Sequence, residues 1–321
     1  MGGAGPTRYA PFSASSNGTL AYGAVATASS QLVWFDRRGQ VLGTTSPGDY
    51  ADPELSPDGK RVAVCRDDPS TGTPDIWIMD ISRGTQSRLT FHPRWEIFPV
   101  WSPDGNHIAF GWDKGGPVEI YRKSAGGGVE ELVLKEKRST HPLDWSRDGR
   151  LLLFAASDPK TRTDLWLLPL DGSKAPKPLL QTPFNEAEAR ISADGRFFAF
   201  ASDESGRPEV YVRPMDSRGE QWQISTQGGT KPLWRRDGKE LFYLAEDRKL
   251  MSFELTDGSG FDKSSPSPLF QTRTPRVPFP GFHSLYAVTP DGQRFLVITE
   301  PEGRASLPIT VVLDWAVGLK R

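Results

Sequence analysis

The imidazole chemistry open to this 321-residue chain rests on four histidines: His92, His107, His141 and His283. No two stand four residues apart, which excludes a helix-borne His-x-x-x-His metal pair. Cys65 is the single cysteine, so an internal disulfide and a cysteine-based zinc site are both excluded. It lies among apolar strand residues and reads as a buried, inert thiol. The sequence contains no Gly-x-Ser-x-Gly nucleophile elbow, no His-Arg-Asp loop with a following Asp-Phe-Gly, and no glycine-rich phosphate loop leading to a strand lysine. Glu186 and Glu188 invite comparison with a glycosidase pair, but they share one strand, whereas such carboxylates flank the substrate from opposite sides. The net charge of −1 offers no basic stripe for a nucleic acid.

What remains is a set of polar groups at repeated positions, and the repeat is a turn. Ser56-Pro57-Asp58-Gly59 recurs as Ser102-Pro103-Asp104-Gly105, Ser146-Arg147-Asp148-Gly149 and Ser192-Ala193-Asp194-Gly195. Weaker copies are Arg235-Arg236-Asp237-Gly238, Thr289-Pro290-Asp291-Gly292 and, with Asn for Asp, Ser15-Ser16-Asn17-Gly18. The intervals between the Asp or Asn positions are 41, 46, 44, 46, 43 and 54 residues. That period fits a four-stranded propeller blade. The turn has a physical basis: Pro presets φ, Asp accepts local backbone hydrogen bonds, and Gly takes the left-handed conformation.

Each turn is followed by two strand-like runs, and the second carries an apolar-aromatic pair: Ile76-Trp77, Ile120-Tyr121, Leu165-Trp166, Val210-Tyr211. The residue three before the turn Asp or Asn reads Ala14, Leu55, Trp101, Trp145, Ile191, Trp234 and Val288. Such an apolar column is what sheets packed around a ring require. Seven copies predict an all-β, seven-bladed propeller of four-stranded antiparallel blades, with six as the alternative. The blades are expected at about 9–45, 50–91, 96–135, 140–181, 186–226, 229–271 and 281–315, all in a single domain. Too few residues flank the ends for a complete last blade, so the seventh is expected to have three strands or a ragged fourth. Met1-Gly2-Gly3 is then read as the start of a piece whose natural chain extends upstream.

The chain resembles the TolB-like propeller repeats, which carry the same Ser-Pro-Asp-Gly turn and a following Ile-Ala-Phe-like strand. It looks most like the C-terminal propeller of bacterial membrane-anchored serine/threonine kinases. The run from Thr182-Pro183-Phe184-Asn185-Glu186 through Ser202-Asp203-Glu204-Ser205-Gly206-Arg207-Pro208 to Leu241-Phe242-Tyr243 carries that likeness, with the ending Ile309-Thr310-Val311-Val312-Leu313-Asp314-Trp315. The resemblance implies a sensor or interaction module, periplasmic or extracellular, tethered by an upstream anchor. Kinase activity is not implied, because the kinase motifs are absent. TolB-like propellers are usually six-bladed, which is the source of the alternative count. Propellers of this kind also precede a hydrolase domain in prolyl-oligopeptidase-like enzymes, but here the repeat fills the chain.

In a propeller the tight Asp-Gly turns share one face and the longer loops the other, and function is expected on the looped face. The positions eight before each turn include Tyr50, Glu96, Glu186 and His283; those six before include Asp52, Phe98, Glu188 and Lys231. With their neighbours Trp95, His141 and Asn185 they are expected to ring the channel mouth. The candidate ligand-binding residues are therefore Tyr50, Asp52, Trp95, Glu96, His141, Asn185, Glu186, Glu188, Lys231 and His283. Carboxylates, aromatics and amides together suit a peptide, a protein segment or a small polar ligand. No cofactor and no catalytic residue is expected, and the module is expected to be a monomer. A calcium ion held by Asp52, Glu96, Glu186 and Glu188, a metal shared by His141 and His283, and a channel-site glycosidase or lyase are the alternatives.

Overall fold

A computed structural model describes residues 12–15, 19–23, 30–68, 71–172, 175–216, 221–255, 261, 265–277, 281, 283–300 and 309–313. Six four-stranded antiparallel sheets form the blades of a ring. Blade 1 runs through Tyr50–Leu55, Arg61–Asp67, Pro74–Asp80 and Gln86–Arg88. Blades 2, 3, 4 and 5 begin with the inner strands Glu96–Trp101, Thr140–Trp145, Glu186–Ile191 and Gly229–Trp234, each leading outward through three more strands.

Blade 6 is assembled from both ends of the chain. Its inner strands are Tyr286–Val288 and Arg294–Thr299, and its outer strands are Gln31–Asp36 and Val41–Thr44. Arg294–Thr299 pairs along its whole length with Gln31–Asp36, Phe295 opposite Phe35 and Val297 opposite Val33. The blade count is thus six, not seven. Gln31–Asp36 completes the last blade instead of extending a first one. Ile309–Val312 leaves the ring and pairs with Leu20–Gly23, which with Phe12–Ala14 makes a separate three-stranded sheet. The physical reason is edge protection: a ring sewn shut by strands from both termini leaves no open inner edge between its first and last blades. The seventh turn at 16–18, Tyr9, Pro11 and most of 300–308 lie outside the described residues, as does Trp315.

The apolar core confirms the count. Six clusters of buried side chains each join one pair of neighbouring blades. Blades 5 and 6 meet through Phe242 and Phe295, packed edge to face with ring centroids 5.1 Å apart; blades 6 and 1 meet through Leu32, Leu296, Val62 and Val64. The tryptophans of the column add polar stitches between blades: Trp101 Nε1 donates to the Glu54 carbonyl at 2.9 Å, and Trp234 Nε1 to that of Arg190 at 3.1 Å.

The Asp-Gly turn is built as its chemistry requires. In blade 2 the Ser102 hydroxyl donates to Asp104 Oδ1 at 2.5 Å and accepts the His107 N–H at 2.8 Å. Asp104 also accepts the Asn106 N–H at 3.0 Å, and Gly105 closes the turn at φ 71°. These donors hold the Asp104 carboxyl below its ordinary range, the Ser102 hydroxyl first among them. Blade 5 lacks the serine; there Arg235 Nε donates to Asp237 at 2.7 Å instead.

Candidate functional site

The inner strands of blades 1 to 5 break their ladder midway, whereas that of blade 6 pairs without a break. The register with the second strand jumps between Ala51 and Glu54, Ile97 and Val100, Ala187 and Arg190, and Thr230 and Leu233. At each break a residue with a side chain sits in the left-handed region: Asp52 at φ 54°, Phe98 at 60°, Glu188 at 60° and Lys231 at 58°. A non-glycine residue held there costs roughly 1–3 kcal/mol, and the bulge re-aims its side chain. In blade 3 the same place is taken by Pro142, whose ring forbids positive φ, and the break shortens to one residue between Pro142 and Asp144.

The bulge separates two sets of candidates that the sequence placed together. Residues six before the turn converge on the channel axis. The buried Lys231 ammonium pairs with the buried Glu188 carboxylate and donates to the Gly281 carbonyl. The Lys231 N–H also donates to Glu188 Oε2 at 2.7 Å. His283 Nδ1 lies 2.9 Å from Asp52 Oδ2, and the Ser284 N–H donates to Asp52 Oδ1 at 2.8 Å. Phe98 stands between two imidazoles, 5.2 Å from His141 and 5.0 Å from His283. The Asp52 charge holds the His283 pKa up, while burial, then the His283 charge, pushes His141 down to about 4. Asp52, His141, Glu188, Lys231 and His283 are therefore brought together, with Phe98 as their apolar centre.

Glu96 and Glu186 are not at the mouth. Standing before the bulge, they turn sideways into blade interfaces, 0% and 1% exposed. Each meets an acid from the third strand of the preceding blade: Glu96 faces Asp75, and Glu186 faces Asp164. Burial raises Glu96 to about 7 and Glu186 to about 8, and Asp75 to about 6. Thr182 Oγ1 donates to Glu186. Tyr50 is buried between blades 6 and 1, its N–H on the Ser30 hydroxyl at 2.8 Å. Asn185 is spent on Asp203, at 2.9 and 2.6 Å, and Trp95 packs against the Cys65, Ile97 and Phe98 cluster. Cys65 is itself buried.

The carboxylates of the calcium alternative thus lie in three different places. Another group, His92, Glu96 and Glu130, has ligand atoms within 4.8 Å of one another. There Lys123 Nζ, 2.6 Å from Glu130 Oε1, already supplies a positive charge.

The looped end of the channel is nearly full. The space bounded by Asp52, Phe98, Pro142, Glu188, Lys231 and Ser284 is about 20 Å³, room for about one water. The open end is the one carrying the Asp-Gly turns. Two adjoining cavities of about 200 and 270 Å³ form a funnel there. Trp145, Trp234 and Trp101 wall it, and Arg147 and Arg236 stand in its lining. Its floor is a cross-channel strut: Arg190 Nη2 lies 3.3 Å from Glu54 and donates to the Ser284 hydroxyl at 3.2 Å. Asp144 accepts the Ile191 N–H at 2.7 Å. Burial, against the opposing pull of Arg190, raises Glu54 to about 7. The channel itself thus opens at the turn face, whereas the bulged side chains with Gly281, His283 and Ser284 narrow its looped end. A signal was present in the sequence: the position four before each turn Asp reads Glu54, Val100, Asp144, Arg190, Leu233 and Ala287, charged in three of six blades.

These features define a β-propeller of six four-stranded antiparallel blades, and the comparisons show a likeness to the TolB propellers. Residues 10–163 match the family model described as the TolB beta propeller domain. The chain is similar to the uncharacterized peptidase YuxL of Bacillus subtilis (strain 168), 30% identical over 111 residues, which is 33% of this chain and 17% of that protein. It is 26% identical over 165 residues to the Tol-Pal system protein TolB of Francisella tularensis subsp. holarctica, covering 50% of this chain and 37% of that one. The matches span well under half the length of these relatives. A solved structure of a putative TolB from Agrobacterium tumefaciens superposes with a TM-score of 0.69 at 18% identity, over 85% of this chain and 98% of that chain. At that identity the likeness establishes the fold.

Two outcomes follow from the buried charges. Lys231→Met leaves Glu188 buried without its cation and is expected to lower stability by about 3 kcal/mol, measured by urea denaturation at pH 7. The paired substitution Glu188→Met with Lys231→Met is expected to recover most of that loss. Glu186 has a folded pKa above its unfolded value, so its contribution is fully present below about pH 4.5 and is lost as pH rises through about 8. Glu186→Gln, still able to accept from Thr182, should match wild type in melting temperature at pH 5 and exceed it at pH 9. Equal pH profiles would show that Glu186 is not protonated in the fold.

Proposed function

We propose that this propeller is a non-catalytic binding module acting in protein interaction, with its ligand surface at the turn-face funnel. The observation that carries the reading is the asymmetry of the channel. At the looped end the groups suited to acid–base work neutralise one another, Lys231 with Glu188 and His283 with Asp52, in a space for about one water. At the other end aromatic walls and charged groups face a cavity open to solvent. Concave sites with apolar walls and a few convergent polar groups are the usual form of a binding site.

The resemblance of the run 182–243 to kinase-associated propellers supports a finer proposal: the chain is the extracytoplasmic part of a bacterial receptor-type serine/threonine kinase, with its funnel turned toward an extracytoplasmic partner. The similarity to TolB of the Tol-Pal system supports a protein as that partner.

Site-specific photocrosslinking in the source cells tests the assignment. A photoreactive residue at Ala193, on the funnel lining, is expected to capture a discrete partner protein. The same residue at Lys160, in the turn between Leu151–Asp158 and Arg162–Pro169 on the opposite face, is expected not to. Capture from Lys160 alone would move the site to the looped face, and capture from neither position would remove the interaction reading.

A further inference from the structure

Three of the six described turns lack the proline of the repeat; blade 4 has the small Ala193, and the other two carry a charge that local stability does not explain. The second turn position favours proline, which presets φ, and blades 1, 2 and 6 have Pro57, Pro103 and Pro290 there. Blades 3 and 5 have Arg147 and Arg236. All five of these residues line the funnel, so this turn position faces the cavity and the two arginines stand on its rim.

Among the described residues, no carboxylate lies within ion-pair distance of Arg147 or Arg236, although other arginines beside the Asp-Gly turns have theirs. Arg235 reaches Asp237 at 2.7 Å and Glu240 at 2.8 Å, and Arg196 reaches Asp194 at 2.5 Å. Arg236 instead spans the mouth to donate to the Pro57 carbonyl of blade 1. The two guanidiniums repel one another: partial burial and then the Arg236 charge lower the Arg147 pKa. Like charges facing a shared cavity are disfavoured unless an anion enters between them.

The rest of the funnel fixes the shape of that anion. Its walls are the indoles of Trp145 and Trp234 with Leu55 and Val288. Its floor carries Glu54 and Asp144 around Arg190. A carboxylate is drawn to the rim, while the floor offers it no free cation because Arg190 is already held by Glu54, and an apolar side chain is accommodated between them.

We propose that the funnel binds an acidic segment of a partner protein, in which an apolar or aromatic residue enters between the indoles and flanking carboxylates pair with Arg147 and Arg236. This rests on the reading of the funnel as the interaction surface and adds the chemistry of what it recognises. Arginine is suited to the task, since its planar fork meets a carboxylate with two parallel hydrogen bonds.

Titration of the full chain with two tripeptides tests it: acetyl-Glu-Phe-Glu-amide and its acetyl-Gln-Phe-Gln-amide counterpart, followed by tryptophan fluorescence and calorimetry. The acidic peptide is expected to bind at least ten-fold more tightly than the amide peptide. Arg147→Ala and Arg236→Ala, both at exposed turn positions, are each expected to weaken it about ten-fold with the melting temperature unchanged. The affinity is also expected to fall as salt rises from 50 to 500 mM. Equal binding of the two peptides, unchanged binding by both arginine variants, or no binding of the acidic peptide at millimolar concentration overturns the proposal. Inorganic phosphate competing as strongly as the peptide also overturns it, in favour of a small free anion. A partner captured at Ala193 alongside peptides that bind equally would leave the interaction surface standing and remove only its acidic specificity.

Discussion

The structure depends on one strand pairing, that of Arg294–Thr299 with Gln31–Asp36. Five blades follow one another along the chain and need only local hairpins to form. The sixth exists only when residues about 260 positions apart meet, placing Phe295 against Phe35 and Val297 against Val33. Once they meet, blade 6 presents Leu32, Leu296 and Ile298 to blade 1 and Phe295 to Phe242 of blade 5. The six interblade cores then form a continuous ring. The closure also sets which faces of the channel are available, since Ser284, just before blade 6, contacts both Asp52 and Arg190 across the axis.

The channel is asymmetric because the inner strands are bulged. A regular strand sends alternate residues to the same face, so residues eight and six before the turn would both look into the channel. The bulge, with Asp52, Phe98, Glu188 and Lys231 at positive φ, sends the earlier residue into the blade interface and the later one to the axis. The earlier positions become buried acids, Glu96 beside Asp75 and Glu186 beside Asp164. The later ones fill the looped end with paired charge. What stays open is the end where the repeat is most regular, and there the arginines at the turn's second position stand out.

Much of this was legible in the sequence. The Ser-Pro-Asp-Gly period located the hairpins of the five blades between Tyr50 and Gln271, and the Trp101, Trp145 and Trp234 column marked the inner strands. The blade count was misread because a turn signal reports a hairpin and not the sheet that the hairpin joins. Leu32-Val33-Trp34-Phe35 has the same strand pattern whether it follows Leu20–Gly23 or completes blade 6. The local pattern likewise carried no sign of the bulge, which is set by how the strands pack around the axis; Pro53, Pro99 and Pro232, each following a left-handed residue, are its only trace. The funnel went unread for a related reason: the turns looked purely structural, and the charged column Glu54, Asp144 and Arg190 was hidden among apolar counterparts.

Hydrogen exchange across the closing blade tests this account most directly. If Gln31–Asp36 is the third strand of blade 6, its amides should exchange as slowly as those of the interior strand His107–Trp112, near the limit set by global unfolding. Exchange at 31–36 as fast as in surface loops, with slow exchange elsewhere, would contradict a six-bladed ring closed by both ends of the chain.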